Sequence, residues 1–104
     1  MKDYSKRLTF TKIETYTGRQ GYAYGMQVNI DGKNAGYMED RADGGMAHFR
    51  SCGGERAAGK EAEAFAESCL EPSDEETFGY DISGEVLSSI CGLEADKHDN
   101  AVAG

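Results

Sequence analysis

The stretch GYAYGMQVNI, residues 21–30, decides the fold, because large apolar side chains fall on every second position. Such alternation is typical of a β-strand with one buried face. The apolar face carries Tyr22, Tyr24, Met26, Val28 and Ile30, and the opposite face carries Ala23, Gly25, Gln27 and Asn29. The Asp-Gly pair at residues 31–32 is a strong signal for a hairpin turn. We therefore expect the rest of the chain to cover the apolar face of this strand.

Three further strands are predicted around the first. Residues 8–16 are rich in β-branched and aromatic side chains, and the loop 17–21 returns the chain antiparallel into the first stretch. Residues 35–39 form a short third strand in the same meander, and residues 46–51 form a fourth. The predicted sheet is a four-stranded antiparallel meander.

The periodicity changes from two to 3.6 residues after Gly54, which predicts a long helix over residues 55–70. Its apolar stripe consists of Ala58, Ala62, Phe65 and Cys69. Phe65 is the one large side chain on this stripe, so we expect it to be buried between helix and sheet. Pro72 places the end of the helix near Leu70.

The remaining sequence predicts less regular structure. Residues 73–76 match the S-x-x-E capping box and predict a turn of helix or an acidic loop, while the alternation over residues 78–82 allows a short edge strand. A second helical stripe contains Ile82, Val86, Ile90 and Leu93, and Gly92 is placed to end that helix. We therefore predict one α+β domain over residues 1–93, with the meander, one long helix across it, a shorter C-terminal helix and a disordered tail at residues 94–104.

No pattern of catalytic, nucleotide-binding or metal-binding residues emerges from the sequence. His48 and Cys52 share strand parity, but four strand residues span about 13 Å, too far for a thiol and its base. The glycines at residues 53–54 belong to no phosphate-binding loop pattern. The carboxylates Glu39, Asp40 and Asp43 do not have the EF-hand spacing. The sequence thus predicts no catalytic residues, no metal and no cofactor.

The three cysteines are Cys52, Cys69 and Cys91. They are odd in number, widely spaced and lack a C-x-x-C pattern, so we expect reduced thiols and no zinc site. The N-terminus has no apolar run behind its basic start, and the chain has no stretch of about 20 apolar residues. These features predict a cytoplasmic protein without a membrane segment.

Aromatic and polar residues of the sheet suggest two further surfaces. Tyr22, Tyr24 and Tyr37 could form an RNA-stacking platform, although strand parity favours a core position for the first two. The fourth strand is expected to place Phe49 in the core. His48 and Arg50 then lie on the outer face, where the flat surface around Gln27, Asn29 and His48 is an alternative partner site.

Charge separates the two halves of the chain. Residues 1–54 carry a net charge of +2, while residues 55–104 carry −10, out of a total of −8. Seven carboxylates lie within sixteen residues of the predicted helix and following loop and are the predicted partner-binding residues: Glu61, Glu63, Glu67, Glu71, Asp74, Glu75 and Glu76. They predict a surface that attracts a basic partner, with a solvated face as the simpler alternative. Direct binding of nucleic acid is disfavoured, because phosphate contacts need clustered lysine and arginine.

In its small size, acidity, single-domain build and lack of catalytic motifs, the chain resembles the counter-defence proteins of phages and mobile elements, particularly anti-CRISPR proteins. That resemblance covers general character. It implies a bacterial host cytoplasm and a protein target, inhibited at its nucleic-acid groove or in a conformational step.

Three classes of function follow, in decreasing order of support. The first is a non-enzymatic acidic protein that inhibits a basic, nucleic-acid-binding host complex. The second is a module that binds or sequesters a small ligand in a pocket between sheet and helix or between two protomers. The third is an enzyme. The sequence leaves the target and the oligomeric state open, a homodimer included.

Overall fold

The computed structural model describes residues 1–19, 21–42, 47–51, 56–79 and 82–103. After a 3₁₀ turn at Tyr4–Lys6, the strands are β1 (Leu8–Gly18), β2 (Gly21–Ile30), β3 (Lys33–Asp40) and β4 (His48–Ser51), and the helices are α1 (Arg56–Ser68), α2 (Asp74–Phe78) and α3 (Val86–Ala103). Several residues discussed above lie outside the described ranges: Asp43, Met46, Cys52, Gly53, Gly54, Glu55, Tyr80 and Gly104.

The predicted α+β class and the antiparallel meander are confirmed. The strands pair in the order β1-β2-β3-β4, with β2 over the predicted bounds of 21–30. The hairpin between β2 and β3 turns on Asp31 and Gly32, whose φ angles are 51° and 80°. Positive φ at both central residues matches the right-handed twist of the flanking strands, which is why Asp-Gly is favoured there.

Two bulges adjust the pairing of the strands. In β1 the register shifts between Thr11 and Glu14, where Lys12 takes a φ of 54°. In β3 the shift lies between the pairs Asn29–Asn34 and Val28–Gly36, so Ala35 is the extra residue. Each bulge moves the following side chains of its strand to the opposite face relative to an unbroken hairpin.

Both long helices cover the same face of the sheet. α1 packs mainly on β3 and α3 on β1, and both also contact β2 and each other. The centre of the core is formed by Met26, Val28 and Ile30 of β2 against Ala62 and Ile90 of the helices, all nearly inaccessible to solvent. Tyr24 completes this face, and its hydroxyl donates to the Ser88 carbonyl at 3.1 Å. The parity prediction for β2 is thus confirmed over its second half, whereas Tyr22 is 41% exposed beyond the helices.

The position predicted for Phe65 was wrong. Ala66 is the fully buried residue of that turn, and Phe65 lies half-buried at the margin of the core. The Arg7 guanidinium stacks over its ring at 5.0 Å and also binds Asp31 at 2.6 Å and the Glu61 carboxylate. The Arg7 stem covers the outer side of the Phe65 ring while its guanidinium stays paired with carboxylates. Phe65 is therefore shielded from water at the edge of α1 without entering the core.

The end of the last helix also differs from the prediction. α3 does not stop at Gly92 but continues to Ala103, so at 18 residues it is longer than α1 at 13. The segment expected to be a disordered tail is therefore helical up to Ala103. Ala95 is fully buried, and Glu94 accepts a hydrogen bond of 2.6 Å from the Tyr4 hydroxyl. These contacts extend the helix beyond the point where apolar periodicity fades.

The short segment between the long helices is helical rather than extended. Phe78 is the last residue of α2, and Gly79 ends the helix with a φ of 78°, as expected for a left-handed terminal glycine. The predicted capping box does not form, because the Ser73 side chain makes no capping bond. No strand contains Phe78 or Ile82, and Ile82 is instead buried in the core ahead of α3.

No helix among the described residues covers the opposite face of the sheet, which is nevertheless less exposed than predicted. Ala23, Gly25 and Asn29 are buried, and only Gln27 of that set is partly accessible. The Tyr37 ring lies across Gly25 so closely that a Cβ atom there would sit 2.2 Å from its hydroxyl oxygen. Side chains of the sheet itself thus shield the centre of this face. His48 and Arg50 are exposed, as predicted. Phe49 is only partly buried at the margin of the core and, like Phe65, does not take the core position predicted for it.

Candidate binding groove

The acidic side chains singled out by the sequence do not form one uniform surface. Glu61, Glu63, Glu67, Glu75 and Glu76 are exposed, Glu71 is partly exposed and Asp74 is 3% exposed. Glu61 is paired with Arg7, which fixes α1 to the β2–β3 turn. Asp74 therefore does not belong to an accessible docking surface, and Glu61 contributes less unpaired charge than its exposure suggests.

Asp74 has a structural role at the start of α2. One of its oxygens accepts from the Met1 amino group at 2.7 Å and the other from the Glu71 amide at 2.7 Å. The bond from the amino group, followed by that from the amide, lowers the pKa of Asp74 below its ordinary value of 3.8. The same amino group lies 2.9 Å from Glu71. Together with Glu61, three of the seven predicted residues are thus paired with positive charges within the protein.

A cavity of about 160 Å³ lies between the sheet and the two long helices. Its apolar side chains come from β3, from β4 and the residue before it, and from the start of α3: Met38, Ala47, Phe49, Val86 and Leu87. Glu63 and Glu67 approach it from α1, and Glu85 approaches it from the residue before α3. Two of the predicted docking carboxylates, both exposed, therefore stand at the rim of a cavity lined by polar and apolar side chains.

A second cavity, of about 450 Å³, adjoins the first. Ala47, Glu85 and Ser88 line both cavities. The second cavity has aromatic and aliphatic walls from Tyr22, Tyr24, Phe78 and Leu93, and its carboxylates are Asp40, Glu85 and Asp96. We call the two cavities together the acidic groove. Its described lining contains five carboxylates, namely Asp40, Glu63, Glu67, Glu85 and Asp96, and no lysine, arginine or histidine.

The negative charge around the acidic groove affects the pKa of Tyr22. Partial burial, followed by the nearby charges of Asp99 and Asp96, raises the pKa of its phenol above 10.0. Glu67 has a structural contact as well, because one of its oxygens accepts the Gly84 amide at 3.0 Å. That bond joins α1 to the turn before α3 and holds the Glu67 carboxylate at the entrance of the smaller cavity.

Sequence reasoning found two of the five groove carboxylates and missed Asp40, Glu85 and Asp96. The bulge in β3 pairs Asp40 with Tyr24 and so places it on the helix-covered side, whereas an unbroken hairpin would have placed Glu39 there. Glu39 instead binds Arg41 at 2.6 Å. Asp96 belongs to the segment predicted to be disordered. Only Glu85, an isolated acid within the span of the second apolar stripe, could have been suspected from the sequence.

The other chemical candidates do not assemble into a site. Tyr22, Tyr24 and Tyr37 do not form a platform, since Tyr24 is buried and Tyr37 lies on the opposite face. Cys69 and Cys91 are free and buried, and burial, followed by Glu94, raises the pKa of the Cys91 thiol. Within the described ranges, no three potential metal ligands come together and no helix is long and apolar enough to cross a membrane.

Comparisons with protein-family models, with curated proteins and with solved structures found no match to this chain. The acidic groove and the charge around it are therefore the features of the molecule that bear on its function.

Proposed function

We propose that this protein is a non-enzymatic, acidic binding protein that inhibits a basic, nucleic-acid-binding protein by docking through the acidic groove. The observation that carries the proposal is that Glu63 and Glu67, with Glu85, line a cavity between α1, α3 and the sheet that adjoins a larger, mainly apolar cavity. A face that only keeps a protein soluble needs no such cavity, whereas protein interfaces combine an apolar centre with a charged rim.

The charge of the whole chain supports the same partner. With a net charge of −8 concentrated in the second half, the protein attracts basic surfaces and repels phosphate backbones. Proteins that bind nucleic acid present clustered lysine and arginine in the groove that the nucleic acid occupies. An acidic protein that enters such a groove competes with the nucleic acid for those same cations.

The counter-defence role fits these properties. Within the proposal, the target is an RNA-guided nuclease complex of a bacterial host, and the protein acts as an anti-CRISPR inhibitor in the host cytoplasm. It would inhibit the complex either by occupying the basic channel that holds nucleic acid or by blocking a conformational change that the complex needs for activity. Neither route requires a catalytic residue or cofactor in the inhibitor.

The proposal is tested by measuring inhibition of purified RNA-guided nuclease complexes. We expect the wild type to reduce DNA binding by at least one complex, with association that slows steeply above about 0.15 M salt, where the Debye length is about 8 Å. The double variant Glu63→Lys and Glu67→Lys should lose inhibition. Glu76→Lys and Glu75→Lys, which make the same charge change on α2 outside the groove, serve as the matched control.

The control separates local docking from bulk charge. If both double variants weaken inhibition equally, net charge alone matters and the groove is not the docking site. If neither variant changes inhibition, the acidic half is a solvated face. A pull-down from bacterial lysate, with the mass of the captured complex measured by size exclusion, extends the search beyond the complexes chosen in advance.

The larger cavity favours one second candidate function. Its volume of about 450 Å³ lies within the range of about 300–1,000 Å³ seen for small-molecule pockets, and it lies between the sheet and a helix. A small ligand bound there would be cationic and partly aromatic or aliphatic. Thermal stabilisation by a small amine, without any protein partner, would favour this candidate over the inhibitor.

A further inference from the structure

We propose that the acidic groove binds a segment of the partner in which an arginine or lysine stands close to a large apolar residue. The basic side chain enters the smaller cavity, and the apolar side chain enters the larger one. This inference rests on the proposed function and identifies the chemistry of the segment that the groove recognises.

The smaller cavity suits a single long basic side chain. At about 160 Å³ it is smaller than most small-molecule pockets, which measure about 300–1,000 Å³. Ala47 and Phe49, both partly exposed, offer the aliphatic stem of an arginine or lysine an apolar surface, and such stems bury readily along apolar surface. The carboxylates of Glu63 and Glu67 on α1 and of Glu85 just before α3 stand where the charged head would lie. Arginine is favoured, because its planar guanidinium can bind two carboxylates at once.

The larger cavity suits an apolar side chain. Tyr22, Tyr24 and Phe78 give it aromatic walls, and Tyr22 is one of the two large apolar side chains that are exposed within the described part of the chain. An aromatic or branched aliphatic side chain of a partner would bury this exposed ring. Asp40 and Asp96 at the same cavity favour further basic residues around that anchor.

Both anchors belong to one segment, because the two cavities share a boundary. Ala47, Glu85 and Ser88 line both, so a chain with one side chain in each cavity must pass over this boundary. Ala47 is only partly buried and carries the smallest side chain of the three. Enlarging it would block the passage without changing any charge.

Charge decides between the occupants of the groove. A second copy of this chain would bring another net charge of −8, and a nucleic acid would bring phosphates to five carboxylates. Both would be repelled, whereas a basic and apolar segment complements the rim and the walls together. A segment with arginines but no apolar residue would leave the aromatic walls unfilled.

The test measures binding of a blocked eight-residue peptide of alternating arginine and leucine by isothermal titration. Two comparison peptides alternate arginine with glycine and glutamate with leucine. We expect the arginine-leucine peptide to bind at least about ten-fold more tightly than either comparison peptide, a free-energy difference of about 1.4 kcal/mol. Amide signals of Ala47 and Ser88 should shift in the protein NMR spectrum upon its addition.

Variants of the full chain then locate the peptide. Ala47→Leu should weaken binding at least about ten-fold. Ser88→Met, which fills the same boundary from α3, should also weaken peptide binding. It keeps the test decisive if Ala47→Leu fails to fold. Glu63→Gln should weaken binding, while Glu76→Gln, the same change outside the groove, should not.

Specific outcomes overturn the inference. It falls if the arginine-glycine peptide binds as tightly as arginine-leucine, if the tetra-amine spermine binds more tightly than either, or if both groove-filling variants bind as wild type. Because Ala47→Leu leaves every carboxylate in place, a variant that still inhibits the nuclease complex as wild type refutes the segment model alone. The proposed function itself is refuted by a different result, namely that the double variant Glu63→Lys and Glu67→Lys still inhibits the nuclease complex as wild type does.

Discussion

α1 and α3 cover the same sheet face with different side chains. α1 buries Ala58, Ala62 and Ala66, whereas α3 buries Val86, Leu87, Ile90, Cys91 and Ala95. Small side chains let α1 approach the sheet closely but remove little apolar surface from water. Stabilisation is therefore concentrated on α3, and α1 keeps an outward face that can carry exposed glutamates. The difference teaches that the helix most visible in the sequence is not the one that holds the fold together.

The largest expected effect tests the role of α3. Ile90→Ala removes a fully buried side chain from the centre of the core and should reduce the free energy of unfolding by about 2–5 kcal/mol. Urea titration with a folded-state check by circular dichroism measures it. A loss below about 1 kcal/mol would show that α3 does not anchor the sheet.

The matching change on α1 should cost less. Phe65→Ala removes a half-buried ring whose outer side is covered by Arg7, so we expect a loss of about 1–2 kcal/mol, below the range for a buried phenylalanine. The same titration compares the two variants directly. If Phe65→Ala destabilises more than Ile90→Ala, the assignment of the main anchor to α3 is reversed.

A third change tests how far α3 extends as a packed helix. Ala95→Gly lies beyond Gly92 at a buried helical position, where glycine costs about 1 kcal/mol in helix propensity alone. A disordered tail would show no loss. Amide hydrogen exchange gives an independent measurement, because the amides around Ala95 should be protected only if that turn of α3 is packed.

The smallest effect concerns the attachment of α1 to the sheet. The Arg7 side chain hydrogen-bonds Asp31 and holds the pKa of that carboxyl below 3.8. A lowered pKa in the folded state stabilises the protein above the unfolded value, and this contribution disappears as the pH falls through the folded pKa. Arg7→Gln should therefore move the midpoint of acid unfolding to higher pH.

The control for this change is Lys6→Gln, which removes the same charge from a neighbouring exposed side chain. Acid unfolding followed by tyrosine fluorescence compares the two variants. Because ion pairs on the surface contribute little, the shift should be small. Equal midpoints for both variants would show that Arg7 acts through net charge and not through its contacts with α1 and the β2–β3 turn.

The sequence predicted those parts of the fold in which neighbouring residues differ sharply in polarity. β2 alternates over ten residues and ends in Asp-Gly, so both its bounds and its turn were predicted correctly. The stripe of α1 was also visible, because glutamates separate its alanines. α3 was predicted only in part, since Gly92 looked like an end and no large apolar side chain lies between Leu93 and Val102 to continue the stripe.

The acidic groove was predicted only in part for a different reason. Its carboxylates come from β3, α1, the residue before α3, and α3 itself, and no linear pattern brings these elements together. The bulge that turns Asp40 toward the helices depends on a single extra residue, Ala35, which polarity patterns do not reveal. The burial of Asp74 likewise depends on a contact 73 residues away in the chain.

The bulge in β1 has a consequence for self-association. β1 is an outer strand of 11 residues, and strands of this length at the margin of a sheet invite strand addition by another copy. Lys12, with its φ of 54°, breaks the straight line of amides and carbonyls near the middle of the strand and places a charged side chain there. A second copy could therefore form strand pairing only with the part of β1 on one side of the bulge. The protein is thereby protected against fibril-like growth along β1.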